Sequence, residues 1–71
     1  MQNKTFSQYT RLKRIEAGVT QKAVAEALGV NVSQVSRRES GSTDWCWSEL
    51  VVFAGLLGKK VSEFVAEFEN E

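Results

Sequence analysis

Between Asn31 and Arg38 the chain reads Asn-Val-Ser-Gln-Val-Ser-Arg-Arg, a run of hydrogen-bonding side chains broken by two valines. A helix turns about 100° per residue. With Val35 pointing inward, Ser33 and Arg37 point almost directly outward, and Gln34 and Ser36 flank them. Such a face both donates and accepts hydrogen bonds. The guanidinium fork of Arg37 fits the two acceptors on a guanine edge, and the carboxamide of Gln34 fits the donor and acceptor of an adenine edge; either group can instead hold a phosphate. Ser33 can reach bases or phosphates. Val32, near the helix start, can touch a thymine methyl, and Asn31 beside it belongs to the same surface. Arg38 extends either to a phosphate or to an acidic side chain, with its alkyl stem laid over the core.

Polar helix faces are common, so these residues alone say little. The elements that must position them are more specific. Thr20 caps a short helix over Gln21–Leu28, in which Val24, Ala25 and Leu28 face inward. Small Ala25 lets the next helix pack close. Gly29 stands where the turn takes a left-handed conformation, which costs other residues free energy. Val30 plugs the turn, and Asn31 caps the helix from Val32 to about Ser40. Gln21, at the start of the first of these helices, is placed for a phosphate contact aided by the helix N-terminus, and Lys22 adds charge nearby. Two short helices crossing steeply in this way make a helix-turn-helix, whose second helix enters the major groove of duplex DNA.

Flanking helices complete an all-α reading. A first helix is predicted from about Thr5 to Ala17, on the spacing of Tyr9, Leu12 and Ile15, with Gly18 as its stop. A fourth begins at Asp44 or Ser48, carries Leu50, Val51, Phe53, Ala54 and Leu57, and stops at Gly58. A fifth is capped by Ser62 and carries Phe64, Val65 and Phe68. Glu69-Asn70-Glu71 should fray. No strand-like alternation and no internal repeat is present.

At 71 residues the chain fits a single domain, 1–71. A domain this small buries only about 60% of its unfolded surface, so self-association would help it. Net charge is zero, yet residues 1–38 hold seven Lys/Arg against two Asp/Glu, and residues 39–71 hold two against seven. The halves are thus +5 and −5, and phosphate binding needs a basic face rather than a basic average. No apolar stretch approaches the length of a membrane span, and Met1-Gln2-Asn3-Lys4 does not open a signal peptide. Cys46 has no partner cysteine. These features place the chain in the cytoplasm. Without histidine or a second cysteine a zinc site is not expected, and Cys46 reads as a small, partly buried hydrophobe. No cofactor is implied. An enzyme is equally unexpected: acid-base histidine and a glycine-rich phosphate loop are both missing, and Asp44 and Glu49 have no nucleophile nearby.

The run from Gly18 to Arg37, followed by Glu39-Ser-Gly41, resembles the DNA-binding domain of the Cro/repressor superfamily, the lambda-repressor-like helix-turn-helix proteins. Leu50–Gly58 and Val61–Val65 are similar to that family's fourth and fifth helices. The resemblance covers about Tyr9 to Phe68. It implies a five-helix fold with helices two and three as the helix-turn-helix. Arg38 departs from the pattern, which usually places an apolar residue there. Ala25-Glu-Ala27, Gly29-Val30, Ser33–Arg37 and the tryptophan-bearing connector resemble lambdoid-phage CII-type activators more closely. That likeness implies a phage-encoded transcriptional regulator at the bacterial nucleoid, an activator in preference to a Cro-like repressor. It also implies homo-oligomers: tetramers on direct repeats for CII-type proteins, dimers on inverted repeats for Cro-type ones. Some relatives touch RNA polymerase through acidic residues on the second helix, where Glu26 stands here; a solvated charge explains Glu26 as well.

The expected oligomer interface lies toward the C-terminal end, over about 62–69, and comprises Trp45, Trp47, Phe64, Val65 and Phe68. One tryptophan closes the core and the other stays exposed. A second class of function also fits this fold, a protein-interaction module such as an antitoxin or anti-repressor. Loss of Arg37 separates the two, since only a DNA reader depends on it.

Overall fold

The computed structural model describes residues 5–70. Five helices follow one another: α1 (Phe6–Glu16), α2 (Gln21–Leu28), α3 (Val32–Ser40), α4 (Trp47–Leu56) and α5 (Val61–Glu69). No strand occurs among the described residues. The fold is the five-helix, lambda-repressor-like arrangement. None of these helices is long and apolar enough to cross a membrane.

Local chemistry sets the helix ends. Thr5 caps α1, its hydroxyl accepting from Gln8 N–H while the Gln8 side chain accepts from Thr5 N–H. Thr20 Oγ1 accepts from Ala23 N–H at the start of α2. Gly29 ends α2 with φ of +72°, and Val30 N–H then reaches back to Ala25 C=O at 3.0 Å. The starts of α4 and α5 differ from expectation. Neither Asp44, Ser48 nor Ser62 is the cap. Instead Glu49 accepts from Cys46 N–H at 3.0 Å, and Glu63 accepts from Lys60 N–H at 3.1 Å. A carboxylate on the third helical residue thus closes each N-terminus from inside, where it also complements the helix dipole.

The core is Tyr9, Val24, Ala25, Val35, Phe53, Ala54 and Phe64, to which every helix contributes. Each large apolar side chain so buried is worth roughly 1.5–3 kcal/mol. Its aromatic centre joins α1, α4 and α5. Tyr9 lies 4.9 Å from Phe64, and Phe64 lies 5.6 Å edge-on from Phe53. Tyr9 keeps its hydroxyl satisfied by donating to Phe64 C=O at 2.9 Å. α1 inserts a partly polar stripe: Thr10 and Arg14, one turn apart, are buried, whereas Ile15 is 48% exposed.

Candidate nucleic-acid interface

α3 is fixed at its start by a reciprocal cap. Asn31 Oδ1 accepts from Gln34 N–H at 3.0 Å, and Gln34 Oε1 accepts from Asn31 N–H at 2.9 Å. Ser33 Oγ donates to the same Asn31 oxygen at 2.6 Å. Val35 and Glu39, one turn apart, face the interior. Val32, Ser33, Ser36 and Arg37 therefore face solvent together. Val32 is 42% exposed. The Arg37 side chain has no hydrogen bond or ion pair among the described residues, so its five N–H donors point into open solvent. Lys22 is also exposed, on the first turn of α2.

What aims this face is a buried charged network that sequence reasoning missed. Arg14 Nε donates to Glu39 Oε2 at 2.6 Å, and a second nitrogen donates to Oε1 at 3.2 Å. The remaining nitrogen donates to Val19 C=O at 2.9 Å. Gln21 Nε2 donates to Glu39 Oε1 at 3.0 Å. One carboxylate, 3% exposed as a residue, thereby ties α1, the α1–α2 turn and the start of α2 to α3. The signal was available in the pattern. Glu39 follows Val35 by four residues on an inward stripe, and a carboxylate there demands a cation. Gln21 was expected at a phosphate. Its amide is instead partly engaged inside, with one N–H left at the second-helix N-terminus.

Arg38, expected either at a phosphate or at an acidic side chain, takes the acidic partner. Its Nε and a terminal nitrogen bind both oxygens of Glu49 at 3.0 and 2.8 Å, and the other nitrogen binds Gln34 C=O at 3.0 Å. That bidentate pair links α3 to α4. The hydrogen bond from Arg38, helped by Cys46 N–H, lowers the Glu49 pKa, and Glu49 in turn raises that of Arg38. The apolar position of the family pattern is thus filled by an arginine stem with its charge neutralised at home. Gln34 serves first as a capping residue, which leaves only its Nε2 for a base.

The expected interface residues also separate. Phe64 is fully buried, so it cannot meet a second chain. Phe68 packs against the core, 5.2 Å from Phe6 and 5.0 Å from Tyr9, and Val65 is half-buried. The correction is for Phe64, and its cause is that α1 folds back over the apolar stripe of α5, where Phe6 and Tyr9 pack on Phe64 and Phe68. Trp45 packs 4.9 Å from Phe53 and closes the core, with its indole N–H buried and lacking an acceptor among the described residues. Trp47 is 60% exposed. Cys46, read as partly buried, is exposed between them.

No curated protein matches the chain. Residues 11–44 match the family model described as helix-turn-helix, a span that holds both crossing helices, the Gly29 turn and the Arg14–Glu39 pair. That segment is similar to a helix-turn-helix, and the match supports a DNA-binding transcription regulator.

Proposed function

We propose that the chain regulates transcription by reading the major groove of duplex DNA with α3. The observation that carries the reading is the outward face of Val32, Ser33, Ser36 and Arg37, held at a fixed angle by the Arg14–Glu39–Gln21 network. Arg37 is the base reader, bidentate to guanine, and Val32 contacts a thymine methyl. Ser33, Ser36 and the free N–H of Gln34 add base or phosphate contacts. Asn31 holds them in place as the cap. Lys22 and the N-terminus of α2 at Gln21 take phosphate. The chain acts as a homo-oligomer, and the CII-like run from Ala25 to Arg37 favours a phage activator on direct repeats. Glu26 is exposed on α2, where a polymerase contact would fall.

Selection from random duplex DNA, followed by sequencing of what the purified protein retains, tests this. Enrichment of a motif is the expected result. Half-sites in direct repeat, about one helical turn apart, support the CII-like activator; an inverted repeat supports a Cro-like dimer. Absence of enrichment at low salt would overturn the proposal and turn attention to a protein partner.

A further inference from the structure

The outward face of α4 is an unpartnered apolar surface, and we infer that it is the seat of a second copy of this chain. Trp47, Val51, Val52 and Leu56 are 60%, 47%, 39% and 39% exposed, in two pairs of i,i+4 neighbours. Its inward face, Leu50, Phe53 and Ala54, is buried in the core. An ordinary surface helix is apolar on one side only, and a helix apolar all round is normally buried all round.

Gly55 supplies an independent observation. It is exposed, helical, and lacks the positive φ that would require glycine. A Cβ built there meets nothing within 4 Å. Glycine inside a helix is unfavourable relative to alanine, and the isolated fold has no use for it. At about 100° per residue Gly55 lies roughly opposite Phe53, at the middle of the exposed arc. A second backbone crossing α4 at that point would use the missing side chain, with the valines and Leu56 packed on either side.

The face also selects its occupant. It carries no charged side chain, because Glu49, the only charge on α4, is turned to Arg38. Nucleic acid and charge-steered partners have nothing to bind. A two-fold contact needs a surface complementary to itself, and an uncharged strip, apolar but for the exposed Ser48 near its centre line and notched at Gly55, meets that condition. The four side chains expose on the order of 300–400 Å² per chain, just under half of the about 800 Å² per partner of a standard interface, so they form its apolar centre and the neighbouring polar surface supplies the rest. The interface is therefore on α4, with Trp47 as its anchor, and not on the α5 stripe.

Self-association needs no DNA, so its outcome is separate from that of the DNA reading. The full chain is followed by sedimentation over a range of concentrations, with far-UV circular dichroism as the check on folding. Wild type is expected to dimerise. Gly55→Gln fills open space and favours helix, so it should keep the fold and weaken the dimer by about tenfold or more. Val51→Glu should do the same. Ala66→Glu, on the exposed side of α5, should leave the dimer intact. A wild type that stays monomeric, or a dimer indifferent to Gly55→Gln and Val51→Glu, would overturn the inference. So would a dimer lost to Ala66→Glu alone.

Discussion

Arg37 and Arg38 sit about 100° apart around α3, and that angle decides what each can do. Arg37 is exposed and its side chain makes no hydrogen bond or ion pair with a described residue, whereas Arg38 turns toward α4 and meets Glu49. Arg37→Ala should lower affinity for a selected duplex by ~1–3 kcal/mol, roughly five- to 150-fold, while leaving the thermal midpoint unchanged. Anisotropy titrations and melting curves of the two proteins check both halves. Arg38→Ala should act the other way, on stability first. The bond from Arg38 holds the Glu49 carboxyl below its ordinary range. A carboxylate more acidic in the folded than in the unfolded state stabilises above its unfolded pKa, about 4.3 for Glu. That stability is lost as pH falls through the folded value. Urea midpoints measured from pH 7 downward should drop below about pH 4 in wild type. In Glu49→Gln the midpoint should start lower and drop less.

At the level of elements, Glu39 is the clamp. Removing one partner of a buried ion pair leaves the other charge without compensation, at about 3–5 kcal/mol. Glu39→Ala should therefore lose most of the stability of so small a domain, as read from denaturant unfolding. A paired Arg14→Met, Glu39→Leu replacement should recover much of it and still bind DNA poorly, because Gln21 and Val19 lose their tie to α3. How much of this was legible in the sequence follows from how local each signal is. Thr20, Gly29 and Asn31 act on neighbours within three residues, and the bounds of α2 and α3 could be read from them. Glu49 and Glu63 are equally local but cap from the third helical position, a place where Ser, Thr, Asp and Asn were not found, so α4 and α5 start elsewhere than expected. Arg14 and Glu39 are 25 residues apart. The spacing from Val35 shows Glu39 as an inward charge, but the Tyr9, Leu12, Ile15 spacing turns Arg14 outward, and only the fold shows that the two meet. The α5 stripe was visible too, but nothing in its spacing reveals that Phe6 and Tyr9 cover it.

For the whole molecule, the charge segregation of the chain is smaller in the fold than in the sequence. Two of the seven cations in residues 1–38, Arg14 and Arg38, are paired with Glu39 and Glu49 from the acidic half. The exposed cations left for phosphate include Lys22 on the first turn of α2 and Arg37 on α3. Affinity should still fall with salt, with a log–log slope of about −2 to −3 per subunit, shallower than a count of all seven cations implies. A flat response in filter-binding titrations would contradict groove docking. The claim on which the rest depends is that Arg37 reads a guanine edge in the major groove. The most direct test is a double-mutant cycle on the selected duplex. Replacing the contacted guanine with 7-deazaguanine removes the N7 acceptor and nothing from the minor groove. Wild type should lose about tenfold in affinity and Arg37→Ala should lose almost nothing further. Equal losses in both proteins, or none in wild type, would contradict the account.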